Sequence, residues 1–402
     1  MTFSVSSDFG VVLGIDAKYS TPRYSWPSGG TKTQENSAAF VFDPQTGEIT
    51  SKNTEYDPVK VRLERFAFQS VARKLLKGSK VKRINNCLRV RASSSDCVQV
   101  FKSSEHKTCS YNGLQTCASV WACPVCAAKI SERRKNELLQ AIEQHTANGR
   151  NVLLLTLTNP HYLGDKLGDV LLGQKRALEF FNAGKAVTDF NFSIGLLGQV
   201  RALEVTHGRL RRVNNGWHPH YHILLFVDSG LSIETLKASY YVRWLAACLK
   251  AGLPKPSFEH GIKLDNGSKA AAYASKWGLE SEMTKGHIKK SLNGETPFDL
   301  LRAVLLDSDK QAAALFREFA ETFKGKRQLH WSSGLKSKFQ INDISDDVLA
   351  SQQEHSSFLL GSIELDDWLL ILKYDARGEI LELARHGWEP VERYLSTLRK
   401  LK

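Results

Sequence analysis

The chain has no run of about eighteen apolar residues, so nothing in it reads as a membrane-spanning helix. Its first ten residues place no basic cluster ahead of an apolar stretch, and a secretory signal is not expected. No internal repeat is visible. Acidic residues are in short supply: 42 Asp and Glu face 55 Lys and Arg, a formal charge of +13 over 402 residues. Disulfides are not expected, because a chain of this length that is 42% hydrophobic can bury a core without staples. At 24% charged and 9% aromatic it is not a disordered tail. The expectation is a soluble, cytoplasmic protein of two or three domains.

An excess of positive charge points to a polyanionic partner. Two acid-free stretches concentrate it. Residues 71–91 carry Arg73, Lys74, Lys77, Lys80, Lys82, Arg83, Arg89 and Arg91. In residues 322–342, Lys324, Lys326, Arg327, Lys336 and Lys338 surround His330, Trp331 and Phe339. Cations that follow phosphate and rings that stack on unpaired bases suit a single strand. Either stretch alone could be a solvated basic face. Together they make nucleic acid the favoured partner, with Arg83, Arg89, Lys326, Arg327 and Trp331 as candidate contacts.

Residues 1–58 mix Ser, Thr, Gly and Pro without periodicity and read as an irregular arm. A helix is expected over 58–76, short β-like runs over 81–113, and a helix from Ser131 onward. Strands are expected over 151–159, 198–206 and 219–227, then helices over 233–251 and 270–279. Helix-rich sequence over 297–323 leads into the second basic stretch. Residues 366–383 read as a hairpin turning at 375–378, followed by a short helix over 390–400. The mixture implies an α+β catalytic core with flanking modules.

The most informative stretch holds His218, His220 and His222. Residues two apart on a strand share a face, so His220 and His222 point the same way and can bite one metal ion. His218 has the same parity, but Pro219 leaves its direction open. Glu204, on the preceding strand, is the third candidate ligand if 207–217 turns a hairpin. The plainer alternative is a structural histidine cluster. Downstream, Tyr273 and Lys276 share a helical face. A phenol needs its charge stabilised before it can attack phosphate, and a metal with a nearby ammonium would supply that. A core Tyr with a snorkelling Lys is the competing explanation.

Six of the seven cysteines fall between Cys87 and Cys126. Cys123 and Cys126 form a CxxC turn before a helix, with Cys117 close by. Two thiolates presented this way suit Zn2+, which wants four ligands in a closed site. Cys87, Cys97 and Cys109 compete for the fourth place. Cys248, in an apolar helix, reads as buried.

In order along the chain, the segments 121–134, 155–159, 201–208, 217–222, 273–276 and 328–336 resemble the rolling-circle plasmid replication initiators of the single-tyrosine type. These belong to the HUH endonucleases, named for His-hydrophobic-His. The resemblance implies an antiparallel HUH sheet with flanking helices over 145–290. A basic, cysteine-rich zinc module over 59–135 would precede it, and a C-terminal α/β extension with the basic-aromatic stretch, over 295–402, would follow. It implies that His220, His222 and Glu204 hold Mg2+ or Mn2+, and that Tyr273 nicks origin DNA and stays on the 5′ phosphate with Lys276 assisting. The freed 3′-OH would prime a host polymerase, with a host helicase opening the duplex. It favours Cys87 as the fourth zinc ligand, whereas proximity in sequence favours Cys109. One departure stands out. Where some relatives carry a Glu before the Tyr, this chain has Lys269, and only Glu280 and Glu282, after the Tyr, are candidates to replace it. The rival readings are an HUH-type transposase, a non-catalytic zinc DNA-binding regulator, and a metal-dependent hydrolase of small molecules.

Overall fold

The computed structural model describes residues 58–275, 294–353 and 356–401, and before them the backbone of five short strands within residues 4–51. The expected arm over 1–58, apart from those strands, lies outside the described residues, as do Lys276, Glu280 and Glu282. Contacts divide the chain into two compact units. One comprises Val71–Ile84 with Cys117–Ala350, the other Met1–Ser70, Asn85–Thr116 and Ser351–Lys402.

The first unit is built on a five-stranded sheet of β1 (Asn151–Leu157), β2 (Gly198–His207), β3 (Trp217–Val227), β4 (Ile262–Asp265) and β5 (Leu329–Trp331). Their order is β4-β1-β3-β2-β5, and every neighbouring pair is antiparallel. Four consecutive residues of β1, from Val152 to Leu155, are buried, which is what a strand covered on both faces requires. β3 behaves differently along its length. Its first half alternates, with Trp217, Pro219 and Tyr221 buried and His218, His220 and His222 half-buried, while residues 223–227 are all buried. One face of the sheet is therefore partly open at the end where the histidines stand.

Among the described residues, the longer helices of this unit are α1 (Pro124–Ala147), α2 (Leu167–Phe181), α3 (Lys185–Ser193), α4 (Ile233–Lys250), α5 (Gly267–Ser275), α6 (Pro297–Asp307) and α7 (Lys310–Phe323). Several starts have a clear local cause. Pro124 occupies the first turn of α1, where a missing N–H costs nothing. The Ser232 side chain caps α4, Thr296 and Asp299 cap each other reciprocally at α6, and Asp309 caps α7. On the histidine face, Leu138 and Ile142 of α1, Ala270 and Ala274 of α5, and Phe339 pack on Val152, Val200, Ala202, Leu224 and Phe226. Two alanines one helical turn apart let α5 lie close to the sheet. Tyr273, Leu329 and Trp331 pack at the margin of the same cluster.

In the second unit Ser357–Ile363, Val98–Ser103 and Cys109–Asn112 form an antiparallel sheet in that order. Trp368 packs edge-on against Tyr111, with ring centroids 5.2 Å apart. The buried Arg377 guanidinium donates to Gln69 Oε1 at 2.6 Å and Ser70 Oγ at 3.0 Å. The hairpin expected over 366–383 is not there: the segment forms helices Leu365–Lys373 and Arg377–Ala384. Trp368 and Ile371 are buried three residues apart, and Asp366 and Asp367 occupy the first turn, where carboxylates favour a helix. Asp375, at φ 54°, makes the turn between the two helices.

Candidate metal and tyrosine site

Gly216 opens the path into the histidine strand. It sits at φ +74°, and a Cβ there would meet the Tyr162 carbonyl oxygen at 3.1 Å, so both conformation and space favour glycine. From there the register sets the site. His220 is the direct cross-strand partner of Glu204, and His222 that of Ala202 on β2 and Thr156 on β1. The expected 207–217 hairpin is present, and Glu204 stands beside both imidazoles.

The contacts divide the carboxylate between two tasks. Glu204 Oε2 lies 3.5 Å from His220 Nε2 and 3.5 Å from His222 Nε2. Its other oxygen, Oε1, accepts a 2.6 Å hydrogen bond from the Tyr273 hydroxyl. The Tyr273 ring lies 4.8 Å from that of His222. The outer nitrogens are occupied as well. His220 Nδ1 lies 3.3 Å from the His218 carbonyl oxygen, and His222 Nδ1 lies 2.9 Å from Thr156 Oγ1. Such partners orient both rings with Nε2 toward Glu204.

The electrostatics suit a cation. Desolvation pushes the Glu204 carboxyl up, but the His222 and His220 imidazoles and the Tyr273 hydroxyl outweigh it and hold the group at about 2. Burial pushes His222 down to about 4. At neutral pH the site is therefore a carboxylate beside an uncharged His222, with its lone pair free for a metal. Glu204, His220 and His222 each offer one ligand atom, all within 4.8 Å of one another. Two imidazoles and one carboxylate on one face fit a divalent transition ion such as Mn2+ better than Mg2+, which prefers an all-oxygen shell.

Sequence reasoning assigned no role to Thr156 or His161. Thr156 is a polar residue that interrupts the apolar run 152–157, and that was the available signal. His161 Nε2 lies 3.2 Å from His218 Nδ1, so His218 faces another imidazole and stands outside the three-residue set.

Cys117, Cys123 and Cys126 of the first unit are buried and free of disulfides, three thiols suited to a metal ion; Cys87, also buried and free of a disulfide, belongs to the other unit. Cys123 is the N-cap residue of α1 and Cys126 lies in its first turn, while Cys117 Sγ is 3.7 Å from Cys126 Sγ. Cys109, in the same unit as Cys87, is half-buried, its thiol pushed up to about 11 by burial. Cys248 is buried in α4 with its thiol raised to about 12.

The candidate nucleic-acid contacts are dispersed. Lys326, Arg327 and Trp331 follow one another into β5, with Lys326 and Arg327 exposed. Arg83, also in this unit, pairs with Asp347. In the other unit Arg89 is only 17% exposed and lies 3.6 Å from Asp375.

The antiparallel sheet thus presents two histidines and a glutamate that could hold a metal ion, with a tyrosine hydroxyl bonded to that glutamate. A family model described as replication protein matches residues 110–377, and the chain belongs to this family, that of the plasmid replication initiators. Among curated relatives it is similar to a "Protein rep" of Streptomyces lividans, 23% identical over 354 residues, covering 70% of this chain and 73% of that one. It is also similar to a "Neomycin resistance protein" of Streptomyces cyanogenus, 30% identical over 139 residues, and spans only 31% of that protein. No solved structure matches the chain.

Proposed function

We propose that this replication protein is an HUH-type, single-tyrosine initiator that nicks and rejoins one strand of its origin. The observation that carries the reading is the Tyr273 hydroxyl bonded at 2.6 Å to the carboxylate that faces His220 and His222. In the nicking step Tyr273 Oη forms a bond to phosphorus and the bond from phosphorus to the 3′ oxygen breaks. Glu204 Oε1 orients the Tyr273 hydroxyl, the phenolic proton is lost to solvent as the bond forms, and the 3′ oxygen leaves as a hydroxyl after taking a proton from solvent. The product is a 5′-phosphotyrosine and a free 3′-OH that can prime synthesis. His220, His222 and Glu204 are the residues that would hold Mg2+ or Mn2+, which would polarise the scissile phosphate. Thr156 and the His218 carbonyl keep the imidazoles aimed. Lys276 remains a candidate for neutralising charge beside Tyr273.

In this reading the nicking domain occupies 145–290, between a basic zinc module over 59–135 and an extension over 295–402. Zn2+ on Cys87, Cys117, Cys123 and Cys126 is structural, and Arg83, Arg89, Lys326, Arg327 and Trp331 contribute to origin binding, with host helicase and polymerase acting afterwards. The test is incubation with supercoiled origin plasmid and Mn2+ or Mg2+. A protein-linked 5′ end that needs the metal supports the proposal, and origin binding with no adduct under any divalent ion contradicts it.

A further inference from the structure

The register that brings Glu204 to the histidines also places Trp331. Leu329 and Trp331 of β5 are the cross-strand partners of Ala202 and Val200, which alternate with Glu204 on one face of β2. Trp331 therefore stands on the same side of the sheet as the site, roughly 14 Å from Glu204 by strand spacing. Beside it opens a cavity of about 560 Å³, lined among others by Ile130 and Arg134 of α1 and by Arg327, Gln328, Trp331 and Ser337. That volume is in the range of small-ligand pockets.

Apart from Arg327, the charged groups that line this cavity are already matched. Arg134 pairs with Glu137 and Asp346, each at 2.8 Å, and Lys336 pairs with Glu137 at 3.1 Å and Asp343 at 3.0 Å. A phosphate would have to compete with three carboxylates for those cations. The unmatched groups are neutral. Trp331 Nε1 and Gln328 Oε1 are buried, and neither has a hydrogen-bond partner among the described residues. A buried donor and acceptor left unpaired carry a penalty that a ligand with complementary edges removes. An indole ring, one free donor, one free acceptor and serine hydroxyls have the chemistry to hold a nucleobase. The exposed Arg327 at its rim suits the backbone outside.

We infer that this cavity takes an unpaired base of the strand whose phosphodiester lies at Tyr273, and so helps to fix the position of the cut. The inference rests on the proposed nicking function for the identity of the strand, but its test does not depend on cleavage. The probe is a fluorescein-labelled, mixed-sequence single-stranded 30-mer, compared with an abasic 30-mer of the same backbone. The full-length protein should bind the base-bearing strand about ten-fold more tightly. Trp331→Leu, which keeps apolar bulk at the core margin, and Ser337→Leu, which narrows the cavity from an exposed position, should each reduce that preference to within about two-fold. Equal binding of the two strands by the unaltered protein, or a preference unchanged in Ser337→Leu, overturns the inference. Adduct formation on origin plasmid is scored separately. A Tyr273 adduct with no base preference sinks the pocket alone, and a base preference with no adduct sinks the nicking function alone.

Discussion

The hydroxyl of Tyr273 and the carboxylate of Glu204, 69 positions apart in the chain, meet at 2.6 Å. The same carboxylate turns its other oxygen to His220 and His222. One side chain thus belongs both to the candidate metal set and to the candidate nucleophile. In the proposed reaction, a carboxylate that both orients the phenol and would anchor the cation couples metal occupancy to the placement of the nucleophile.

That coupling extends to Thr156, which touches no reacting atom. Its hydroxyl lies 2.9 Å from His222 Nδ1. Thr156→Val keeps the β-branched shape and removes the partner, so Mn2+ affinity should fall about ten-fold or more, with the fold unchanged. Isothermal titration with Mn2+ and a circular dichroism spectrum measure the two. Thr156→Ser, which restores the hydroxyl, should recover most of the affinity.

The proposed structural zinc makes a separate prediction about metal and stability. The purified chain should carry about one zinc, read by elemental analysis, and Cys126→Ser should lower both the zinc content and the melting temperature. Ligand thiols are deprotonated when bound, and metal binding adds to folding stability. Chelation should expose Cys117, Cys123 and Cys126 to alkylation. Cys248, buried with its thiol raised to about 12, should stay unlabelled until the chain unfolds.

Acid should weaken the fold through His207 at the end of β2. Burial pushes its imidazole down to about 4, with the neighbouring Arg209 cation acting in the same direction. An unfolded histidine titrates near 6.5, so between about pH 6.5 and pH 4 the unfolded chain binds the extra proton and stability falls as pH falls. The stabilisation is fully present above about pH 6.5. In urea melts, His207→Gln should flatten the dependence across this window relative to the unaltered chain.

Much of the site was legible because it rests on local rules. His220 and His222 share a face by strand parity, Gly216 and the loop after His207 permit a hairpin, and a hairpin puts Glu204 opposite. Residues 123–126 read in the sequence as a turn ahead of a helix from Ser131, but the helix begins at Pro124, which suits its first turn, and Cys126 lies within it. The remainder depended on partners distant in the chain. Leu329–Trp331 is too short to show alternation, so its pairing with β2, which puts Trp331 on the histidine face, was not readable. Residues 365–384 misled because their apolar run suits a strand as well as a helix, and only their burial pattern separates the two. Arg89 looked like one more surface cation, yet Asp375 of its own unit lies beside it.

The most direct measurement is the chemical identity of the bond between protein and DNA. Full-length protein would be incubated with supercoiled origin plasmid and Mn2+, digested with protease and nuclease, and its peptides sequenced by mass spectrometry. The account predicts a nucleotide 5′-phosphate on Tyr273, absent in Tyr273→Phe and in His222→Ala although Tyr273→Phe still binds the origin. A phosphonucleotide on another residue, or an adduct that survives Tyr273→Phe, would contradict it.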